Sequence, residues 1–261
     1  MSAWNVDIYS KFLDLRTRPA RDLLAAIPAS FQPKIVYDLG CGPGNSTVLL
    51  KNRWPEANVT GVDSSAEMLK KASSEHPDIC FTTGDIEHFS SSEKVDCLFA
   101  NASLHWCDTH EILIPKLVKT IHDGGFFAMQ MPNNFHAPTH QVAVQVLQSH
   151  AEWHQYLDKL IYGPMAKPRY LLSEYYDLLT VSGMHAIQCW ETEYYQKMPN
   201  YRGIFDWVSG TVLRSLLAKM DDVTRKKFAD AYVDTISNAY PLQADGSVLP
   251  PFRRVFVVAA K

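Results

Sequence analysis

The sequence predicts an α/β protein with a doubly wound, mostly parallel sheet of seven strands and a helical cap. Three observations carry this prediction. Short β-rich runs alternate with helical segments along the first half of the chain, which is the rhythm of a parallel sheet. A cluster of glycines follows the first of these runs. The run at 95–100 is apolar apart from Asp96, as expected for a strand buried on both faces.

Each element follows from its own pattern. We expect strands at 35–39, 59–62, 81–83, 95–100, 126–131, 187–195 and 252–260. We expect helices at 7–27, at 46–54, after an N-cap at Ser64 or Ser65, at 111–122, at 174–182 and within 199–240. Pro19 is expected to kink or divide the first helix. Ser173 is expected to cap the helix at 174–182, and Gly183 to end it.

The rhythm of strands and helices breaks after residue 131, which predicts insertions into a single domain spanning 1–261. The expected core is 34–131, 170–195 and 252–260. The expected helical cap is 1–30, 132–169 and 196–250. Ligands of such sheets bind beyond the carboxyl ends of the strands, where a cap would cover them.

Composition excludes several functional classes. The net charge of −3 without a basic block argues against nucleic acid, and the sequence has no run of 18 apolar residues that could span a membrane. Five cysteines without a CxxC pair argue against a disulfide framework and against a metal site. Residues 1–16 lack the apolar segment of a signal peptide. We therefore expect a cytoplasmic monomer that acts on a small molecule.

The segment from Asp38 to Gly44 is the main functional signal. Its glycines follow G-x-G-x-G, a Rossmann-like strand, turn and helix in which the backbone approaches a ligand closely. Dinucleotide sites use G-x-G-x-x-G, and Asp38 would repel a phosphate, so an oxidoreductase is disfavoured. Asp38 is expected either to accept hydrogen bonds from an ammonium group or to order the loop. The pattern indicates a cofactor without phosphates.

Polar residues also follow the next three strands. Asp63 ends the second strand, where a carboxylate can accept hydrogen bonds from a ribose diol. Met68 could pack against an adenine, and Asp85 could accept from its amino group. Asn101 to Trp106 follows the fourth strand.

In their order and spacing these residues resemble the class I S-adenosylmethionine-dependent methyltransferases. The resemblance implies that the backbone of Gly40 and Gly42 lies against the methionine part of the cofactor, that Asp63 holds the ribose, and that Asp85 and Ile86 flank the adenine. The residues expected to bind S-adenosylmethionine are Arg18, Asp38, Gly40, Cys41, Gly42, Asn45, Asp63, Ser64, Met68, Asp85, Ile86, Asn101 and Ser103.

A narrower resemblance, to the methyltransferases that esterify trans-aconitate, covers nearly the whole chain. It rests on Trp4-Asn5, Arg16-Thr17-Arg18-Pro19, Phe99 to Leu104, Gln130 to Asn134, Pro138-Thr139-His140, Asp206-Trp207-Val208 and Tyr240 to Gln243. It implies transfer of a methyl group to a carboxylate of a small polycarboxylic acid. Ser215 and Pro250-Pro251 depart from that family and leave the acceptor open.

The expected acceptor-binding residues are Tyr9, His105, Trp106, Arg214 and Arg254. Arginine suits a polyanion because its planar fork makes two parallel bonds to a carboxylate, so one of Arg18, Arg214, Arg253 and Arg254 should face the acceptor. A carboxylate needs no deprotonation, so no catalytic base is expected. The alternatives are a methyltransferase for another small or carrier-bound acid and a protein that binds the cofactor without catalysis.

Overall fold

The computed structural model describes residues 13–161 and 170–261, and Tyr9 lies outside them. The chain divides into two compact units. The sheet unit consists of Arg16–Pro132, Pro168–Thr192 and Arg254–Lys261. The helical unit consists of Met1–Leu15, Asn133–Lys167 and Glu193–Arg253. The predicted role of the inserted segments as a cap stays a prediction.

Seven strands form one sheet in the order β3-β2-β1-β4-β5-β7-β6. Their bounds are β1 Ile35–Leu39, β2 Asn58–Asp63, β3 Cys80–Thr83, β4 Val95–Asn101, β5 Ile121–Pro132, β6 His185–Tyr195 and β7 Pro251–Ala260. The first five strands pair in parallel, and β7 runs antiparallel to β5. The predicted fold class, a mostly parallel seven-stranded sheet, is therefore confirmed.

The α-helices of the described residues are, in chain order, α1 Leu13–Ala25, α2 Asn45–Arg53, α3 Ala66–Glu75, α4 His110–Thr120, α5 Pro138–Ser149, α6 His154–Ile161, α7 Leu172–Val181, α8 Tyr201–Ser209, α9 Arg214–Leu217 and α10 Asp222–Ile236. The first helix runs through Pro19 without being divided. Ser65, not Ser64, caps α3, because its hydroxyl accepts from the Met68 amide at 3.3 Å. None of the helices within 13–161 and 170–261 is long and apolar enough to cross a membrane.

The helical unit contains α5, α6, α8, α9 and α10, whereas the sheet unit contains α2, α3, α4, α7 and most of α1. The core of the helical unit is apolar and rich in aromatic side chains. The buried hydroxyl of Tyr232 donates to the carbonyl of Thr139 at 2.7 Å, so α10 is tied to α5. A buried hydroxyl with a partner avoids the cost of an unsatisfied polar group.

Two corrections to the predicted helix ends have a clear physical cause. The helix predicted to continue to His122 ends at Thr120, because Ile121 pairs with Val95 and begins β5 at once. The Nε2 atom of His122 contacts a carboxylate oxygen of Asp96, which holds this start of the strand. Helix α7 begins at Leu172, so Ser173 lies inside it. Glu174 accepts from the Leu171 amide at 2.5 Å and supplies the missing cap.

Candidate active site

The glycine loop is tied to the neighbouring strand β2. The amides of Gly40 and Cys41 both donate to the carbonyl of Val62, at 2.7 and 3.0 Å. Gly40 has a φ of +72°, and a Cβ there would lie 2.3 Å from the Cβ of Ser103. Only glycine fits this position, since any side chain would meet both left-handed strain and a steric clash.

Gly42 lies beside open space in the loop, and its amide is held by Asp63 at the end of β2. The Gly42 amide donates to Asp63 Oδ2 at 2.8 Å, and the Ser65 amide donates to Asp63 Oδ1 at 2.8 Å. Gly42 has a φ of +55°, and a Cβ there would meet no atom within 4 Å. The half-buried carboxylate of Asp63 therefore orders the loop and keeps lone pairs for further donors.

Asp38 orders the start of helix α2. Its Oδ2 accepts from the hydroxyls of Ser46 and Thr47, each at 2.7 Å, while the buried Oδ1 has no hydrogen-bond partner among the described residues. Complete burial raises the pKa of Asp38 to about 6 in spite of these two hydrogen bonds. Of the two roles considered for Asp38, ordering of the loop is the one that the contacts display.

The Cys41 side chain is buried beneath the loop. Burial first, and then the nearby carboxylates of Asp38 and Asp63, raise the pKa of the Cys41 thiol far above its usual range. A thiol that stays protonated is a poor nucleophile, so Cys41 fills space in the loop instead of reacting.

The residues expected around the adenine differ in exposure. Ser64 and Asp85 are exposed, whereas Met68 is buried in α3. Asp85 Oδ1 accepts from the Glu87 amide at 2.9 Å and so begins a short 3₁₀ turn at Ile86–His88. The Ile86 side chain reaches the loop, since its Cδ1 lies 3.2 Å from a Cβ built on Gly40.

The carboxyl end of β4 has an unusual backbone. Asn101 ends the strand, and Ala102 follows with a φ of +53°, a left-handed conformation that costs a residue with a side chain about 1–2 kcal/mol. The Ala102 amide donates to the carbonyl of Gln130 at 2.9 Å. Ser103 follows in the chain, and its buried side chain lies against Gly40. Such strain is typical of a functional site.

His105 and Trp106 lie on the 3₁₀ turn Leu104–Trp106, with ring centroids 4.8 Å apart. Trp106 is exposed. The buried His110 holds this turn, because its Nε2 donates to the Leu104 carbonyl at 2.8 Å and its Nδ1 lies 2.7 Å from the Tyr175 hydroxyl. His110 was not among the residues selected from the sequence, in which it directly precedes the helix predicted at 111–122.

The candidate arginines lie in very different settings. Arg18 is exposed on α1, and the exposed Arg253 donates to Glu193 at 2.9 Å. Arg214 of the helical unit is half-buried at the start of α9, and this burial lowers the pKa of its guanidinium. Arg254 is 7% exposed, and its Nη1 donates to Gln130 Oε1 at 3.1 Å.

The residues present fit S-adenosylmethionine. Open space above Gly42 leaves room for a ligand at the loop, and Asp63 stands beside it with free lone pairs. The buried carboxylate of Asp38 disfavours a phosphate there. The structure places Gly42 beside Asp63, and Gly40 beside Ile86 and Ser103; that these residues hold the cofactor stays a prediction.

Sequence reasoning missed Gln130 and Ala102. Gln130 is fully buried. The signal in the sequence was an amide side chain inside an otherwise apolar strand, where polar residues are uncommon. The left-handed backbone of Ala102 had no signal, because alanine seldom adopts it.

Comparisons with known proteins support the fold and identify the family. A family described as a methyltransferase domain matches residues 36–125, from β1 into β5. A Haemonchus contortus phosphoethanolamine N-methyltransferase 2, solved with S-adenosyl-L-methionine, has a TM-score of 0.56 at 13% identity, covering 94% of this chain and 52% of that chain. A putative methyltransferase from Bacillus halodurans has a TM-score of 0.56 at 11% identity, covering 93% and 98%. These two structures support the fold.

Relatives of much higher identity extend over the whole chain. The trans-aconitate 2-methyltransferase of Escherichia coli O139:H28 is 40% identical over 261 residues, which covers 100% of this chain and 99% of that protein. The trans-aconitate 2-methyltransferase of Shigella flexneri gives the same identity and coverage. The resemblance inferred from the sequence is confirmed, and the chain belongs to the trans-aconitate 2-methyltransferase family.

Proposed function

We propose that this methyltransferase transfers the methyl group of S-adenosylmethionine to a carboxylate oxygen of a small polycarboxylic acid, with trans-aconitate as the acceptor. The products are a monomethyl ester and S-adenosylhomocysteine. The observation that carries the proposal is the full-length identity of 40% to trans-aconitate 2-methyltransferases. The order of the glycine loop and Asp63 supports the cofactor assignment. We also propose a cytoplasmic monomer, which size-exclusion chromatography with light scattering tests for mass.

The loop residues and Asp63 would hold the cofactor, which supplies a sulfonium methyl group when bound. Gly42 leaves room for it, and Asp63 accepts hydrogen bonds from its ribose diol. Asp38 acts indirectly, because the hydrogen bonds that it accepts from Ser46 and Thr47 fix the start of α2. The remaining residues proposed for this site are Arg18, Gly40, Cys41, Asn45, Ser64, Met68, Asp85, Ile86, Asn101 and Ser103.

The acceptor itself explains why no side chain is proposed as a catalytic base. A carboxylate has a reference pKa near 4 and is already an anionic nucleophile at neutral pH. The residues of the site therefore have to align the reacting atoms and exclude water, and positioning of this kind can supply about 7–11 kcal/mol of a barrier. His105, Trp106 and Tyr9 are proposed to contact the acceptor without taking a proton.

We expect His105→Asn to keep kcat within about tenfold, because general-base catalysis typically contributes about 10²- to 10⁴-fold and none is needed here. The measurement is steady-state kinetics over a range of pH around neutrality with trans-aconitate. The profile of the variant should match that of the wild type. A thousandfold loss of kcat at an unchanged KM would contradict this account and indicate an acceptor that must lose a proton.

We expect Arg214→Met to raise the KM for trans-aconitate about tenfold or more with little change in the affinity for cofactor. A partly desolvated guanidinium gains most from a carboxylate, and a charge-assisted bond is worth about 1.5–3 kcal/mol. Arg253→Met is the matched control, since Arg253 is exposed and paired with Glu193. A KM in Arg214→Met that stays at the wild-type value, as expected for Arg253→Met, would remove Arg214 from the acceptor site.

The decisive experiment supplies labelled S-adenosylmethionine with a panel of di- and tricarboxylic acids. Base-labile methyl esters should form, and trans-aconitate should give the highest kcat/KM. Ester formed only on a carrier-bound acid would identify a different acceptor class. Cofactor binding without product from any acid would show a binding protein instead of an enzyme.

A further inference from the structure

Three polar side chains on adjacent strands of the sheet unit form a chain of hydrogen bonds. Arg254 on β7 donates from Nη1 to Gln130 Oε1 on β5 at 3.1 Å. Gln130 donates from Nε2 to Asn101 Oδ1 at the end of β4, at 2.5 Å. Gln130 is fully buried and Arg254 nearly so, whereas Asn101 is half-buried at the carboxyl end of its strand. We call these three residues the amide relay.

The chemistry of arginine fixes the direction of the amide relay. A guanidinium has only donors, so the Gln130 atom that faces Arg254 must be the carbonyl oxygen. The NH₂ group of Gln130 then faces Asn101, and the Asn101 atom that receives it must also be oxygen. The orientation of both amides therefore follows from their partners.

The outward end of the relay is a hydrogen-bond donor. With Oδ1 turned to Gln130, the Asn101 NH₂ group points away from the network, and Nδ2 has no partner among residues 13–161 and 170–261. The main chain of Gln130 also stabilises this end of β4, because its carbonyl accepts a hydrogen bond from the amide of the strained Ala102 at 2.9 Å. Ligands of doubly wound sheets bind at this edge.

We propose that Arg254 and Gln130 are positioning residues that lock the Asn101 amide with its NH₂ group toward the ligand, where it donates to a carboxylate oxygen. The carboxylate is that of the acceptor or that of the methionine part of the cofactor, since both present the same chemistry. This inference rests on the proposed function. It gives Arg254 a role through two other side chains, in place of the direct contact with substrate expected from the sequence.

The test compares Gln130→Glu with Gln130→Met. A glutamate at 130 still accepts from Arg254 but has no donor for Asn101, so Asn101 must turn its NH₂ group inward and its oxygen toward the ligand. We expect the KM for trans-aconitate, or the Kd for S-adenosylhomocysteine, to rise about ten- to hundredfold, as for loss of a charge-assisted bond. A rise in the KM identifies the carboxylate of the acceptor, and a rise in the Kd identifies that of the methionine part of the cofactor.

Gln130→Met should behave in the opposite way. A methionine breaks the relay and leaves a buried guanidinium with one acceptor fewer, so Tm should fall further than in Gln130→Glu. Asn101 is then free to turn, the ligand selects the productive orientation, and the affinity should fall only about twofold to threefold. A purely structural role predicts the reverse, with the less stable variant binding worse, and that result would overturn the proposal.

Asn101→Asp completes the design. An aspartate still accepts a hydrogen bond from Gln130, so Tm should change little. It presents a carboxylate oxygen to the ligand in place of the NH₂ group, so the KM or Kd that rises in Gln130→Glu should rise here as well. Wild-type affinity in both Gln130→Glu and Asn101→Asp would also overturn the proposal. Absence of ester from the wild-type protein with every acid would instead refute the proposed function, so the two failures are distinguishable.

Discussion

Replacing Gly42 with alanine will lower the affinity for S-adenosylhomocysteine about ten- to hundredfold. The methyl group would enter the open space above the loop, where we propose that the cofactor lies. Overpacking a well-fitted site typically costs about 1–3 kcal/mol, which corresponds to this loss. Isothermal titration calorimetry of the folded variant measures it directly.

Gly183→Ala is the matched control for this experiment. Gly183 also has a positive φ, +84°, and a Cβ there would also meet no atom within 4 Å, but this glycine follows α7 and is not part of the loop. Both variants should lose similar stability, about 1–2 kcal/mol for the left-handed backbone. If Gly42→Ala binds as tightly as Gly183→Ala, the space above Gly42 is not the cofactor site.

Asp63→Ala is expected to have the largest effect of all, a loss of about hundredfold or more in affinity for S-adenosylhomocysteine. Two backbone amides, of Gly42 and Ser65, lose their acceptor together with the proposed contact to ribose. Each charge-assisted hydrogen bond is worth about 1.5–3 kcal/mol. Calorimetry at several protein concentrations measures the loss, and circular dichroism checks the fold.

A double-mutant cycle separates the two roles of Asp63. Wild type and Asp63→Ala are each titrated with S-adenosylhomocysteine and with an analogue that lacks a ribose hydroxyl. Direct contact predicts that the missing hydroxyl costs the wild type far more than the variant. Equal costs in both proteins would mean that Asp63 only orders the loop.

The sequence was sufficient for the features that rest on local patterns. The alternation of strands and helices predicted the sheet, and the spacing of glycines with Asp38 and Asp63 predicted the loop. Each of these residues acts on neighbours close in the chain or on the adjacent strand, so periodicity and turn chemistry carry the information. Even Asp38 could be limited to two roles before its contacts with Ser46 and Thr47 were known.

Features that depend on distant partners could not be predicted in this way. Gln130 meets Arg254, 124 residues further along the chain, and this pairing exists only once β7 lies beside β5. The end of α4 at Thr120 likewise depends on the pairing of Ile121 with Val95. The helical pattern alone would continue past this residue, but the pairing of strands overrides the local propensity.

The place of β7 between β5 and β6 also affects how the protein is made. Phe126 of β5 pairs with Ala260, so 134 residues (260 − 126) must be synthesised before this partner arrives. At a translation rate of about 5–20 residues per second, the edge of β5 stays unpaired for on the order of ten seconds before β7 is made. An unpaired edge invites association with other chains. During biosynthesis this edge of β5 is therefore open to association with other chains until β7 has been made.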